Sequence, residues 1–124
     1  MPARVYIADI SKLQDLKKLI SYDPYLDTNL KDEDLKKIRE DEMANIIFAR
    51  QTCIIKEGES LNLDKTKAYL YINSADDFLE KADKKLKIVV EGIQRADPDT
   101  EQKVITSISE EQSKADSGFG YLFG

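Results

Sequence analysis

Residues 4–8, Arg4-Val5-Tyr6-Ile7-Ala8, form a short β-prone run that leads straight into Ser11-Lys12-Leu13-Gln14. There Ser11 and Gln14 have the spacing of a capping box, so a strand feeding a helix is the expected start. Leu13, Leu16, Leu19 and Ile20 then recur at helical intervals, which predicts a helix over 12–21 with one buried face. Its end is expected near Tyr22-Asp23-Pro24, because the residue before a proline is pushed out of the α region. Residues 22–29 read as a loop, with Asn29 as the cap of a second, highly charged helix over 30–43 whose inward side carries Leu35 and Ile38.

The stretch 46–55 is rich in β-branched residues and precedes the turn signal Lys56-Glu57-Gly58-Glu59, so it reads as a strand. Met43, Ile46 and Ile47 would equally continue the preceding helix. Over 66–72, Ala68, Leu70 and Ile72 alternate with Lys67, Tyr69 and Tyr71, a clearer strand expected to pair antiparallel with the one before it. Ser74 and Asp77 have capping spacing, and Phe78, Leu79, Ala82, Leu86, Val89, Val90 and Ile93 keep a helical period, the strongest element in the chain. A competing parse ends that helix near Lys85 and makes 86–90 a strand, which completes a ferredoxin-like βαββαβ order. Asp97-Pro98-Asp99 supplies a cap and a first-turn proline for a final helix carrying Val104, Ile105 and Ile108, expected to fade by Asp116-Ser117-Gly118.

The predicted fold is thus α+β: a small antiparallel sheet of about three strands packed against three to four helices, in the order β-α-α-β-β-α-α. The alternative is the ferredoxin-like βαββαβ arrangement with an extra helix. At 124 residues one domain is expected, over 1–117, followed by a glycine-rich aromatic tail over 118–124.

Composition narrows function more than fold. Hydrophobic residues make up 41% and charged residues 35%, enough for a core under a heavily charged surface. Nineteen basic against 24 acidic side chains leave a net charge of −5, which disfavours general binding to a phosphate backbone. The lysines at 12, 17 and 18, and at 81, 84, 85 and 87, sit at helical spacing among acids or apolar residues and read as solvated helix faces. The acids Asp32, Glu33, Asp34, Glu40, Asp41 and Glu42 lack the alternating ligands and central glycine of a calcium loop. The sequence shows no apolar leader at its start and no run of about 20 apolar residues, so no membrane partner is expected. A lone cysteine, Cys53, fits a reducing, cytoplasmic setting. Many Lys and Glu residues with no Trp and no His lean toward a heat-adapted source.

The absence of histidine removes the commonest general acid/base and the commonest zinc ligand together. No phosphate-loop motif is present, and Gly118-Phe119-Gly120 lacks the strand, third glycine and helix of a dinucleotide fingerprint. Cys53 lies among Thr52, Ile54 and Ile55 and reads as a buried thiol. No cofactor is expected. Tyr69 and Tyr71 share one side of their strand, where they suit packing under a helix first, a protein contact second and base stacking third. With Phe119, Tyr121, Leu122 and Phe123 they are the candidate partner-binding residues. The expected function is a non-catalytic protein-interaction or regulatory module, working through another protein or self-association. Behind it stand a ferredoxin-like ligand-binding domain whose pocket forms between dimerised sheets, then a carboxylate-dependent enzyme, then a nucleic-acid binder.

Overall fold

A computed structural model of the chain describes the backbone of residues 2–123 and the side chains of residues 2–113. The first strand, β1 (Ala3–Asp9), turns through a 3-10 segment at Ile10–Lys12 into α1 (Leu13–Ser21). The cap is Asp9 rather than Ser11: the Asp9 carboxylate accepts from the Ser11 N–H at 3.0 Å. The α1 helix stops at Ser21, and Asp23 caps the 3-10 turn Pro24–Leu26, as the proline leads one to expect. The second helix, α2 (Asp32–Glu40), is shorter than the expected 30–43 at both ends. The Asp34 carboxylate accepts from the Lys31 N–H at 3.0 Å and so starts the helix after Lys31, not Asn29. At the other end the Asp41 carboxylate accepts from the N–H groups of Met43 and Ala44, drawing that backbone out of the helix.

Only the end of the apolar run 46–55 becomes a strand, β2 (Thr52–Glu57). Ile46, Ile47 and Phe48 are all buried, and Phe48–Arg50 forms a 3-10 turn. Ile46 and Phe48 pack in one cluster with Leu16 of α1 and with Leu79, Ala82 and Leu86, so this segment serves as a plug against the helices rather than as a strand. The Phe48 ring meets Phe78 edge-to-face at 5.8 Å. The next strand, β3 (Lys67–Asn73), is buried along its whole centre. The following helix, α3 (Asp76–Val89), is capped at Ala75 rather than Ser74. Ser74 is buried and its hydroxyl donates to Gln51 Oε1 at 2.6 Å, so it has no part in capping.

The helical parse holds through Val89, yet a fourth strand also exists. After Gly92, whose φ is 78°, β4 (Gln94–Arg95) pairs antiparallel with β1. Leu86–Val89 being helical corrects the alternative parse at that position, while the strand it required lies a few residues further on. Four strands rather than about three therefore form one antiparallel sheet in the order β2-β3-β1-β4. This order, with α1 and α3 as crossovers, is the split βαβ arrangement, with α2 inserted and α4 (Pro98–Phe123) appended. The fold is α+β.

Strand alternation divides the core in two. Tyr6, Ala8, Ala68, Leu70 and Ile72 face Leu16 of α1 and Leu79, Ala82 and Leu86 of α3. Val5, Tyr69 and Tyr71 point the other way and lie under Val104 and Ile108 of α4. Asp97 caps α4 as expected, accepting from the Thr100 N–H at 2.9 Å. The α4 backbone runs on past the stop expected at Asp116-Ser117-Gly118. No helix among the described residues is long and apolar enough to cross a membrane.

Candidate functional site

On the helical side of the sheet, residues of α1, α2, α3 and the segment 44–48 line a cleft of about 650 Å³. On α1, Asp15, Lys18 and Leu19 line it, positions that share one stripe at i, i+3 and i+4, and Tyr22 joins them from just past the helix end. Lys85 and Val89 contribute from one stripe of α3, Ile38 from α2, and Pro24 with Ala44 and Ile46–Phe48 from the intervening loops. Most of the wall is apolar. Pro24, Ile47, Phe48 and Val90 are buried, while Tyr22 and Val89 stand half-exposed at the rim.

Three contacts fix the loop side of the cleft. Arg50 Nε pairs with Asp23 Oδ2 at 2.9 Å. The same guanidinium stacks 4.8 Å over the Tyr25 ring. The Tyr25 hydroxyl donates to Asn45 Oδ1 at 2.7 Å, tying the 23–25 turn to the start of the apolar plug. The hydrogen bond from Arg50 holds the Asp23 carboxyl below the usual aspartate value. Opposite, the half-buried Lys85 donates from Nζ to the Ile46 carbonyl at 2.9 Å. Burial pushes the Lys85 ammonium below the ordinary lysine pKa, and the nearby Asp41 charge opposes that shift.

Three other polar groups of chemical interest lie elsewhere. Tyr6, buried on β1, donates to Asp83 Oδ1 at 2.8 Å, and Asp83 pairs with Lys87 at 2.9 Å. Burial, reinforced by the Asp83 hydrogen bond, raises the Tyr6 phenol to about 12. The Cys53 thiol points at the Phe48 carbonyl at 3.5 Å, and burial raises it to about 12, so it is protonated at neutral pH. Beside the short β4 strand the Glu101 carboxylate accepts from the Val5 N–H at 3.0 Å and pairs with Arg95. Burial alone would raise Glu101, but the Arg95 and Val5 hydrogen bonds outweigh it and hold the carboxyl low.

Of the residues expected to contact partners, Tyr69 and Tyr71 come together beneath α4, 4% and 6% exposed. The Tyr71 hydroxyl accepts from Asn73 Nδ2 at 3.1 Å. Both rings are core, the packing reading of that tyrosine pair. The side chains of Phe119, Tyr121, Leu122 and Phe123 lie outside the described residues. By sequence Lys85 reads as one lysine of a solvated face, although Phe78, Ala82, Lys85 and Val89 fall at i, i+4, i+7 and i+11. A cation interrupting an otherwise apolar helical stripe was the available signal.

No family model, curated protein or solved structure matches this chain.

Proposed function

We propose that this chain is a non-catalytic binding module with a regulatory role, and that its ligand site is the cleft between α1, α2 and the C-terminal half of α3. The observation that carries this reading is the cleft itself: an apolar concavity of about 650 Å³ with a half-buried ammonium at its wall. Small-molecule sites are of roughly 300–1,000 Å³ and combine such walls with a few placed polar groups. The clamp of Asp23, Arg50, Tyr25 and Asn45 supports the reading further, because a preformed wall lowers the ordering cost of binding. Tyr6 and Cys53, the groups most often recruited for acid/base or nucleophilic work, are protonated at neutral pH and do not line the cleft.

A neutral apolar dye tests the site without presuming the ligand. Nile red is expected to gain fluorescence on binding the native protein and to shift the methyl resonances of Leu19, Ile47 and Val89. Ala44→Phe, which fills the cleft from its half-buried wall, is expected to abolish both responses while the protein stays folded. Dye binding that survives Ala44→Phe, or that shifts residues elsewhere, would overturn the proposal.

A further inference from the structure

Charge in the cleft is unbalanced. Its lining carries two ammonium groups, Lys18 and Lys85, against one carboxylate, Asp15. Lys18 lines the cleft but is exposed, so water screens its charge. Lys85 stands differently. It interrupts the apolar stripe of α3, is half-buried, and uses one N–H on the Ile46 carbonyl. An ammonium has three donors, and none of the ion pairs among the described residues includes Lys85. Its lowered pKa has the same origin: solvent is partly withdrawn and the Asp41 charge offsets this incompletely.

A partly desolvated cation beside an apolar wall favours a ligand that brings one negative charge and leaves the rest of its surface to be buried. We propose that the cleft takes a small apolar monocarboxylate, whose hydrocarbon body lies against Leu19, Ile47, Phe48 and Val89 while its carboxylate accepts hydrogen bonds from Lys85 Nζ. This assignment rests on the cleft being the binding site and adds the chemical class of the ligand. A cationic ligand would meet Lys18 and Lys85 together, and a dianion would place its second charge against Asp15 with no further buried cation to receive it. A neutral alcohol of the same length fills the same wall but leaves Lys85 without a counter-charge.

Octanoate and n-octanol therefore discriminate, titrated separately into the isotope-labelled full-length protein and followed by NMR. Both are expected to shift the methyls of Leu19, Ile47 and Val89, and octanoate alone to shift the side-chain resonances of Lys85. Octanoate should bind about tenfold or more tightly than octanol, the range for a hydrogen bond to a charged group. Lys85→Gln keeps an N–H donor for the Ile46 carbonyl but no charge, so octanoate should fall to the octanol level while octanol changes by less than about twofold. Lys18→Gln should alter octanoate binding by less than about threefold, as for an exposed charge. Equal affinity of octanoate and octanol at these methyls overturns the carboxylate assignment and leaves the apolar site standing. Shifts confined to other residues, with no Nile red response, overturn both. Should Lys85→Gln be unfolded by circular dichroism, the ratio of the two affinities in the native protein decides alone.

Discussion

Gly58 opens the 3-10 turn Gly58–Leu61 that follows β2, and it is buried. A Cβ built there would lie 1.8 Å from the Asp64 carbonyl oxygen and 2.6 Å from its carbon. Side-chain contacts under 3.0 Å essentially never occur, so in Gly58→Ala the backbone at Asp64 has to move by more than an ångström. That backbone is not free to do so. The Leu63 N–H donates to the Gly58 carbonyl at 2.9 Å, and the Lys67 N–H donates to the Asp64 carbonyl at 3.1 Å, where β3 begins. Overpacking costs about 1–3 kcal/mol, and weakening two hydrogen bonds about 1 kcal/mol each. The loss of backbone freedom in the unfolded chain returns about 0.4–1 kcal/mol, leaving a net destabilisation of about 2–4 kcal/mol. For a domain of this length that corresponds to a melting temperature lower by roughly 10 °C, read by calorimetry. Gly92→Ala is the control: its φ of 78° strains a side chain, but nothing lies within 4 Å of the added carbon. It should cost only about 1 kcal/mol. A Gly58→Ala protein that melts with or above the native one, or no lower than Gly92→Ala, refutes the close approach at Asp64.

Cys53 should react slowly with a bulky aromatic disulfide at pH ~8 and rapidly once urea unfolds the chain, since only about one thiol in ten thousand is ionised at a pKa of about 12. Labelling of the native protein at the rate of free cysteine would contradict its burial. Arg50→Ala removes both the Asp23 pair and the stack on Tyr25 and should lower stability by about 1 kcal/mol, with a larger proportional loss of Nile red affinity than of stability. Unchanged dye affinity would separate the clamp from the cleft. The carboxyls of Asp23, Asp97 and Glu101 titrate below their ordinary values in the fold. Their contribution is therefore fully present above the ordinary carboxylate range and is lost as pH falls through that range to below their lowered values. Asp97→Asn should flatten the fall in melting temperature over that window, and an unaltered profile would argue against the link.

Periodicity located what periodicity encodes. Leu79, Ala82 and Leu86 share a helical stripe, and β3 alternates without interruption, so α3 and β3 were legible in the sequence. The β4 strand was not, because Gln94–Arg95 has only two residues and an exposed, polar pattern. It exists because Gly92 turns the chain back beside β1, and the Ala96 N–H then reaches the Val5 carbonyl at 2.9 Å. The run 46–55 misled for the opposite reason, being apolar enough for a strand throughout while its first half serves as a buried plug. The cleft was illegible as a whole, since it joins residues within 15–48 to Lys85, Val89 and Val90 of a distant stretch. Capping was legible at Asp97 and not elsewhere: Asp9 replaces Ser11 and Ala75 replaces Ser74, in each case where another hydrogen bond decides the matter.

The appended helix α4 bears on the choice between the cleft and the sheet face. A sheet in the split βαβ order has crossover helices on one face only, and its other face is available for stacking against a second sheet. Here Val5, Tyr69 and Tyr71 on that face are covered by Val104 and Ile108, with Ile54 and Ile105 packed at the margin. Burial of each such side chain contributes about 1.5–3 kcal/mol, so exposing all five buried ones amounts to about 10 kcal/mol, comparable with the whole stability of a domain. A pocket between stacked sheets would require α4 to leave, and at that cost it does not leave at equilibrium. This favours the proposed cleft on the helical side, lined by Leu19, Ile38 and Val89, over the sheet face as the site. Val104→Asp tests this reasoning, because it places a carboxylate at a site only 1% exposed. Without a partner there the buried charge should cost more than about 3 kcal/mol and unfold or loosen the whole domain, leaving no separable population in which α4 alone has detached. Urea denaturation followed by both tyrosine fluorescence and far-ultraviolet circular dichroism should show coincident transitions. A Val104→Asp protein that keeps its melting temperature, or that forms a stable dimer in sedimentation while the rest of the fold persists, would mean that α4 is a removable cover and that the sheet face, not the cleft, is the surface to pursue.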